Sequence, residues 1–179
     1  MGQSVAMGSD VIDALNAAKI LFTGLAPADV TPLQNVYVYP DDFMNDYSTP
    51  DVDTVPFMIL QERVGATASV GNLSSGSGNR GLHLWAIEPI VYLTATEATW
   101  PSAAAARAEY QHRNWDREIN DLLSRNRTLN GTVFDIGEKR GNGYIFADLL
   151  KDHEQWNQRP GWSIRFLIQV IQIYDRGGD

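Results

Sequence analysis

The segment from Pro101 to Arg127 constrains the fold more than any other, because it predicts a long helix with one apolar face. Apolar side chains recur there at steps of three and four, while charged side chains occupy most other positions. The members of this face are Ala104, Ala108, Trp115, Ile119, Leu122 and Leu123. A second apolar stripe predicts a shorter helix from Ser9 to Leu25. Each helix must bury its stripe against another layer of structure.

Six β-prone segments predict that this other layer is a sheet. They are Asn35–Tyr39, Pro56–Val64, Leu82–Thr94, Gly131–Ile136, Tyr144–Leu150 and Trp162–Tyr174. Pro89 favours a sheet edge or a bulge in the third segment, because proline cannot donate to a ladder. The apolar alternation of the last segment slips at Ile171 and Ile173, which favours a bulge there.

The predicted order of elements is α-β-β-β-α-β-β-β. It predicts one α+β domain over residues 1–179. Its mixed, mainly antiparallel sheet would pack against the two helices.

Two long segments have no helix or strand pattern and are predicted to be loops. Asp41–Thr54 contains five aspartates and few apolar residues, which is typical of a solvated loop. Gly65–Gly81 is rich in glycine and serine, so it cannot bury much surface and predicts a flexible loop or arm. A loop of this length in a compact domain is best explained if it orders against a partner.

Composition disfavours several classes of function. The chain has 179 residues and a net charge of −8, so its surface repels nucleic-acid phosphates and a DNA-gripping role is disfavoured. It has no cysteine, which excludes disulfides and cysteine-based zinc sites. No secretory signal is visible at the N-terminus, and no run approaches the roughly 18 apolar residues of a membrane span. We therefore expect a protein made in a cytosol.

Each pattern that imitates a catalytic or cofactor site has a simpler explanation. Gly76–Gly81 matches G-x-G-x-x-G, but it leads into a strand, so a flexible loop is favoured over dinucleotide binding. The acidic run from Asp41 to Asp53 lacks EF-hand spacing, so a solvated loop is favoured over a calcium site. The three histidines, His83, His112 and His153, are too scattered to form a ligand pair. No catalytic residue, metal ligand or cofactor is predicted.

The sequence motifs of the elements, taken in order, match a known pattern. NVYVYP at 35–40 follows the first helix, and the buried strand PFMILQERVG follows at 56–65. HLWAIEPIVYLT at 83–94, the long helix with alanines at its start, GTVFDIG at 131–137 and a long last strand come next. From about Val11 to Tyr174 this order resembles the tail terminator, or tail completion, proteins of long-tailed bacteriophages. It resembles more loosely the minor tail and neck proteins that share their fold.

The resemblance implies a structural virion protein that forms a ring, usually hexameric, at the head-proximal end of the tail tube. Such a ring ends tube polymerisation and provides the docking surface for the head connector. The implied partners are further copies of the chain, the tail-tube protein and the head–tail connector or neck protein. Genomic DNA would pass through the lumen without specific binding, which suits an acidic protein.

We expect subunit contacts at the exposed sheet edge and at the two long loops, because augmentation satisfies unpaired edge amides. The predicted interface residues are Asp41, Asp42, Tyr47, Asn72, Ser75, Arg80, Trp156, Arg159 and Trp162. One alternative is another neck, connector or tail-tube subunit of the same fold. A rival of a different class is a small metal-dependent hydrolase that uses Asp41, Asp42 and His153.

Overall fold

Two helices and nine strands are present in the computed structural model, which describes residues 7–27, 32–33, 35–40, 42, 56–63, 68–72, 80–94, 103–150 and 161–175. The helices are α1 (Met7–Phe22) and α2 (Ala103–Ser124). The strands are β1 (Asn35–Val38), β2 (Phe57–Glu62), β3 (Ala68–Asn72), β4 (Arg80–Thr94), β5 (Asp135–Ile136), β6 (Glu138–Arg140), β7 (Gly143–Ile145), β8 (Asp148–Leu150) and β9 (Gly161–Asp175). The predicted α+β class is confirmed, and the predicted element order broadly matches.

Seven strands form one mixed sheet. Five of them follow the order β1-β2-β4-β9-β5, and the other two, β3 and β8, pair with β4 and β9. β3 pairs with β4 beyond the end of β2, and β8 pairs with β9 beside β5. Only β1 and β2 run parallel among these pairs, and β6 and β7 form a separate antiparallel hairpin. The long strands β4 and β9 therefore lie at the centre, and short strands lie at both edges.

Both helices cover the same face of the sheet. The register aligns Val36 with Met58, Met58 with Val91, and Val91 with Ile164, so these side chains share one face across four strands. All four belong to the buried core, which α1 and α2 complete with Leu15, Ala18, Phe22, Trp115, Ile119 and Leu123. Burial of each large apolar side chain contributes roughly 1.5–3 kcal/mol, which explains why the two predicted stripes specify the layer arrangement.

The predicted loop at 65–81 is partly wrong. Ala68–Asn72 is a strand, and Arg80 and Gly81 already belong to β4. The reason lies in the length of β4, which extends past the end of β2 at the Glu62↔Ile87 pair. On the same side of β4, residues 81–84 pair with β3, and this ladder of backbone hydrogen bonds offsets the weak strand propensity of the segment. The other predicted loop, Asp41–Thr54, lies outside the described residues except for Asp42.

Pro89 lies in the most central part of the sheet, so the predicted edge position is wrong. β4, the strand that contains Pro89, pairs with β2 on one side and with β9 on the other. The Tyr39 amide donates to the Leu60 carbonyl, so Leu60 points its backbone groups towards β1 and makes no bond to its partner Pro89. The missing N–H of Pro89 thus faces β9, and the β4–β9 pairing is interrupted there, between Ile87 and Ile90.

The bulge predicted near Ile171 is also absent from the β4–β9 pairing, which keeps one offset from Arg80↔Asp175 to Thr94↔Gly161. The apolar alternation slips because a polar residue, Gln172, occupies a position on the core face. Gln172 is buried, and its Oε1 accepts a hydrogen bond of 3.0 Å from Trp85 Nε1. A buried indole needs an acceptor, so a glutamine at this position continues the strand instead of interrupting it.

The predicted strands of the last third are shorter than expected. Of Gly131–Ile136 only Asp135–Ile136 is a strand, because Leu129, Asn130 and Gly131 have positive φ angles of 44°, 57° and 83° and form a turn. The predicted strand Tyr144–Leu150 is divided into β7 and β8 by a bend at 146–147. Residues 137–143, between these two predicted strands, contain β6 and the tip of the β6–β7 hairpin.

Two buried tryptophans allow packing to be separated from hydrogen bonding. Trp85→Phe leaves the buried Gln172 Oε1 without its donor, whereas Trp115→Phe removes an Nε1–H that has no acceptor in the described part of the chain. Both changes remove a similar volume. Trp85→Phe should therefore lower the free energy of unfolding by about 1–2 kcal/mol more than Trp115→Phe. Urea unfolding of both variants measures this difference, and equal losses would contradict the role given to Gln172.

Candidate functional site

A groove with a volume of about 480 Å³ lies between the C-terminal half of α2 and the segment from Tyr144 to Leu149. We call it the α2 groove. The side of α2 that lines it is polar and carries Asp116, Arg117, Asn120, Asp121 and Ser124. These positions recur at steps of one, three and four, so they form a face distinct from the core residues Trp115, Ile119 and Leu123. One helix thus supplies both a core face and a groove wall.

Asn120 fixes the opposite wall of the groove to α2. Its Oδ1 accepts hydrogen bonds from the backbone amides of Phe146 (3.1 Å) and Ala147 (3.0 Å). Its Nδ2 lies 3.0 Å from the carbonyl oxygen of Ala147 and 3.1 Å from Oδ1 of Asp116. The side chain therefore satisfies the backbone at the bend between β7 and β8, where strand pairing is interrupted. Asn120 thus anchors the bend to α2.

Arg127 contacts the same wall of the groove without lining the groove itself. Its Nε donates to Asp135 Oδ1 at 2.9 Å, and its Nη2 donates to the other carboxylate oxygen. The guanidinium lies 4.7 Å from the ring centroid of Tyr144 and 5.7 Å from that of Phe146. A two-point carboxylate contact with aromatic stacking suits the planar guanidinium. The rings of the hairpin are thereby held beside the groove.

Asp116 is a carboxyl group of the groove whose pKa is raised above its ordinary value. Burial raises the pKa of its carboxyl group, the hydrogen bond from Asn120 lowers it, and the nearby charge of Asp148 raises it further. Asp148 itself accepts a hydrogen bond of 2.7 Å from Arg140 Nη2. No cation pairs with Asp116 in the described part of the chain. A partly buried carboxylate without a counter-charge marks a candidate recognition site.

Among the predicted interface residues, Asp42 has a well-defined structural position. Its Oδ2 accepts hydrogen bonds from Lys19 Nζ (2.7 Å) and from the backbone amide of Val38 (2.6 Å). Since Tyr39 donates to β2, the Val38 amide points to the outer edge of the sheet. Asp42 therefore joins α1 to β1 and caps an edge amide that would otherwise be available to another strand.

Three other predicted interface residues lie in described strands. Asn72, whose backbone pairs with Gly81, is near Arg80 at one end of β4. Trp162 pairs with Leu93 at the other end, about 40 Å away at the usual rise per strand residue. The structure therefore brings Asn72 and Arg80 together but not Trp162. The remaining predicted residues, Asp41, Tyr47, Ser75, Trp156 and Arg159, lie outside the described residues.

The residues of the rival hydrolase hypothesis are only partly described. Asp42 binds Lys19 and the Val38 amide, while Asp41 and His153 lie outside the described residues. His83 is buried on β4, on the same face as Gln172, its partner in β9. Within the described ranges, no three His, Asp or Glu side chains form a group that could hold a metal ion.

The residues of the α2 groove are absent from the sequence-based prediction. Asp116 and Asn120 are four residues apart on a helix, which is the spacing of neighbours on one face. An asparagine inside a long helix is a weak signal of a side chain with another task, since asparagine competes for backbone hydrogen bonds. The partners of Asn120 lie 26 and 27 residues further along the chain, and no local pattern identifies them.

Comparison with known proteins adds no family name, since no protein-family model matches the chain and no curated protein matches its sequence. None of the described helices has both the length and the apolar character needed to cross a membrane.

Removal of the Asn120 side chain should loosen the groove wall. Asn120→Ala leaves the amides of Phe146 and Ala147 without their acceptor, so we expect the free energy of unfolding to fall by about 2–3 kcal/mol. Asn126→Ala is a matched control, because Asn126 contributes only a hydrogen bond of 2.8 Å to the Leu122 carbonyl. It should cost about 1 kcal/mol or less. Urea unfolding measures both losses, and equal losses of unfolding free energy would contradict the role given to Asn120 in holding the groove wall.

Because the pKa of Asp116 is raised, we predict that replacing this residue by asparagine stabilises the folded chain in a pH-dependent way. Because the pKa of Asp116 is raised on folding, ionisation of this carboxyl group destabilises the folded chain. The penalty is fully present above the folded pKa and absent below the unfolded value, near 3.8. Asp116→Asn should therefore raise Tm at pH 7, and this gain should disappear as the pH falls towards 3.8.

The control for this prediction is Asp13→Asn, which removes one negative charge at an exposed position of α1. Thermal unfolding of both variants across the pH range separates a local effect from a change in net charge. A gain of the same size and pH profile in both variants would show that Asp116 carries no local penalty.

Proposed function

We propose that the chain is a structural subunit of a phage tail, forming a head-to-tail ring that caps the tail tube. The observation that carries this proposal is the position of the exposed large apolar side chains. In the described part of the chain these are Ile20, Tyr39, Phe134 and Tyr144, and they fall into two groups at opposite edges of the sheet.

The first group lies on the β1 side. Ile20 is 69% exposed and follows Lys19, whose ion pair with Asp42 holds the end of α1 beside β1. Tyr39, which is 53% exposed, directly follows β1. These two residues define the β1-side patch. Exposed apolar groups beside an edge strand are typical of a contact surface.

The second group lies on the β5 side. Phe134 is 61% exposed and directly precedes β5, at the other edge of the sheet. Tyr144 lies in the adjacent hairpin, and its hydroxyl is 3.4 Å from Asp135 Oδ2. These two residues define the β5-side patch. A subunit with different contact surfaces on opposite sides suits a heterologous ring, in which one face meets a different face of the next copy.

Two further features support a tail terminator among ring proteins. The chain has two helices and a mixed sheet, and its element order broadly matches the order on which the resemblance to that family was based. The net charge of −8 disfavours adhesion of a passing DNA duplex. The tail-tube protein and the head–tail connector are the partners that this function requires.

Cross-linking through introduced cysteines tests the head-to-tail ring, since the natural chain has no cysteine. Ile20→Cys marks the β1 side and Phe134→Cys marks the β5 side. With a flexible bis-maleimide, an equimolar mixture of the two single variants should give dimers, whereas each single variant alone should give only background. The double variant should give a ladder that ends in a closed ring. The reactions are run alone and with tail-tube protein of the same virus.

Two results would contradict the proposal. Dimers of Ile20→Cys alone, formed as efficiently as in the mixture, would indicate a two-fold symmetric contact instead of a head-to-tail one. A double variant that stays monomeric in the presence of tail-tube protein, and that leaves tube length unchanged in electron micrographs, would exclude the terminator role. Asp13→Cys, exposed on α1, serves as the labelling control.

A further inference from the structure

We propose that the α2 groove binds a lysine or arginine side chain presented by a partner protein. The groove is defined above by Asp116 and Asn120 on α2 and by the segment from Tyr144 to Leu149. Its volume of about 480 Å³ lies within the ~300–1,000 Å³ typical of sites that enclose an organic group.

The charges around the groove favour a cationic occupant. Arg117, which lines the groove, and two arginines whose contacts reach its lining each have a carboxylate partner within the chain. Arg140 binds Glu138 and Asp148, Arg127 binds Asp135, and Arg117 lies 3.5 Å from Glu118. The carboxylates of Asp116 and Asp121 line the groove and have no such partner in the described part of the chain. A positive group from outside would supply the counter-charge that Asp116 lacks.

The apolar lining distinguishes a long side chain from a compact ion. Tyr144, Phe146 and Leu149 line the groove opposite the carboxylates. Lysine and arginine bury an alkyl stem along such a surface and keep the charged end among polar groups. A bare metal ion fits less well, because the carboxylates of the described residues do not come together in a group that could coordinate one.

Hydrogen bonds and a ring contact hold the wall of the groove in place. Asn120 fixes the bend at Phe146 and Ala147, and Arg127 stacks against Tyr144 from outside the groove lining. A preformed site loses less conformational entropy on binding than a mobile one. This inference concerns recognition by the chain alone and does not depend on the phage function, so failure of one leaves the other standing.

Titration of the isotopically labelled chain by NMR tests the proposal. The probes are Nα-acetyl-arginine amide and Nα-acetyl-lysine amide, with Nα-acetyl-citrulline amide as the uncharged analogue of arginine. The readout is the set of resonances from the Phe146 and Ala147 backbone amides and the Asn120 side-chain amide. Both cationic probes should cause saturable shifts at these resonances, and citrulline should cause none of comparable size.

Matched variants locate the effect. Asp116→Asn keeps the shape of the side chain and an acceptor for Asn120, and it should weaken arginine binding at least about threefold. Asp121→Asn provides a second, independent loss at the same groove. Asp13→Asn removes an equal charge from α1 and should leave binding unchanged. Equal shifts with citrulline, or equal weakening by Asp116→Asn and Asp13→Asn, would overturn the proposal.

Discussion

The antiparallel pairing of β4 with β9 is the constraint on which the other elements depend. Each strand has 15 residues, and their register keeps one offset along its whole length. β2 and β3 pair with the side of β4 that faces away from β9, while β5 and β8 pair with the side of β9 that faces away from β4. A slip of one residue would bring Arg165, Leu167 and Gln169 to the core face in place of the set that contains Ile164, Phe166 and Ile168. Burial under α1 and α2 therefore fixes the register of the whole sheet.

The elements that the sequence predicts well are those in which a local pattern of apolar side chains determines which face is buried. The stripe of α2 and the alternation of β9 are local patterns, so both were foreseen within a few residues. β3 and Gln172 were not, because each depends on a distant partner. Ala68–Asn72 forms a strand since β4 extends past β2, and Gln172 is buried since Trp85 requires an acceptor. Pro89 is tolerated centrally because its missing N–H faces β9 where pairing is interrupted.

The candidate site was harder to predict than the fold for the same reason. Sequence reasoning placed contacts in long loops, where glycine, serine and aspartate dominate, yet Asp42 is a residue that joins α1 to β1. The α2 groove is built by Asn120, whose side chain satisfies backbone groups of a segment distant in sequence. One wall of the groove is a face of α2 and the other is the bend between β7 and β8. Each wall has the composition of ordinary solvated surface, so the sequence of neither one indicates a groove.

Stability and recognition make opposite demands on Asp116. A carboxylate that burial and Asp148 push towards protonation weakens the folded chain, and a neutral side chain there would fold better. The cost becomes useful when a partner supplies a cation, because desolvation strengthens the contact that then forms. The groove lies on the same side of the sheet as the β5-side patch, and Tyr144 belongs to both. An apolar patch beside a charged groove has the usual anatomy of a protein interface, in which apolar contact supplies affinity and charge selects the partner.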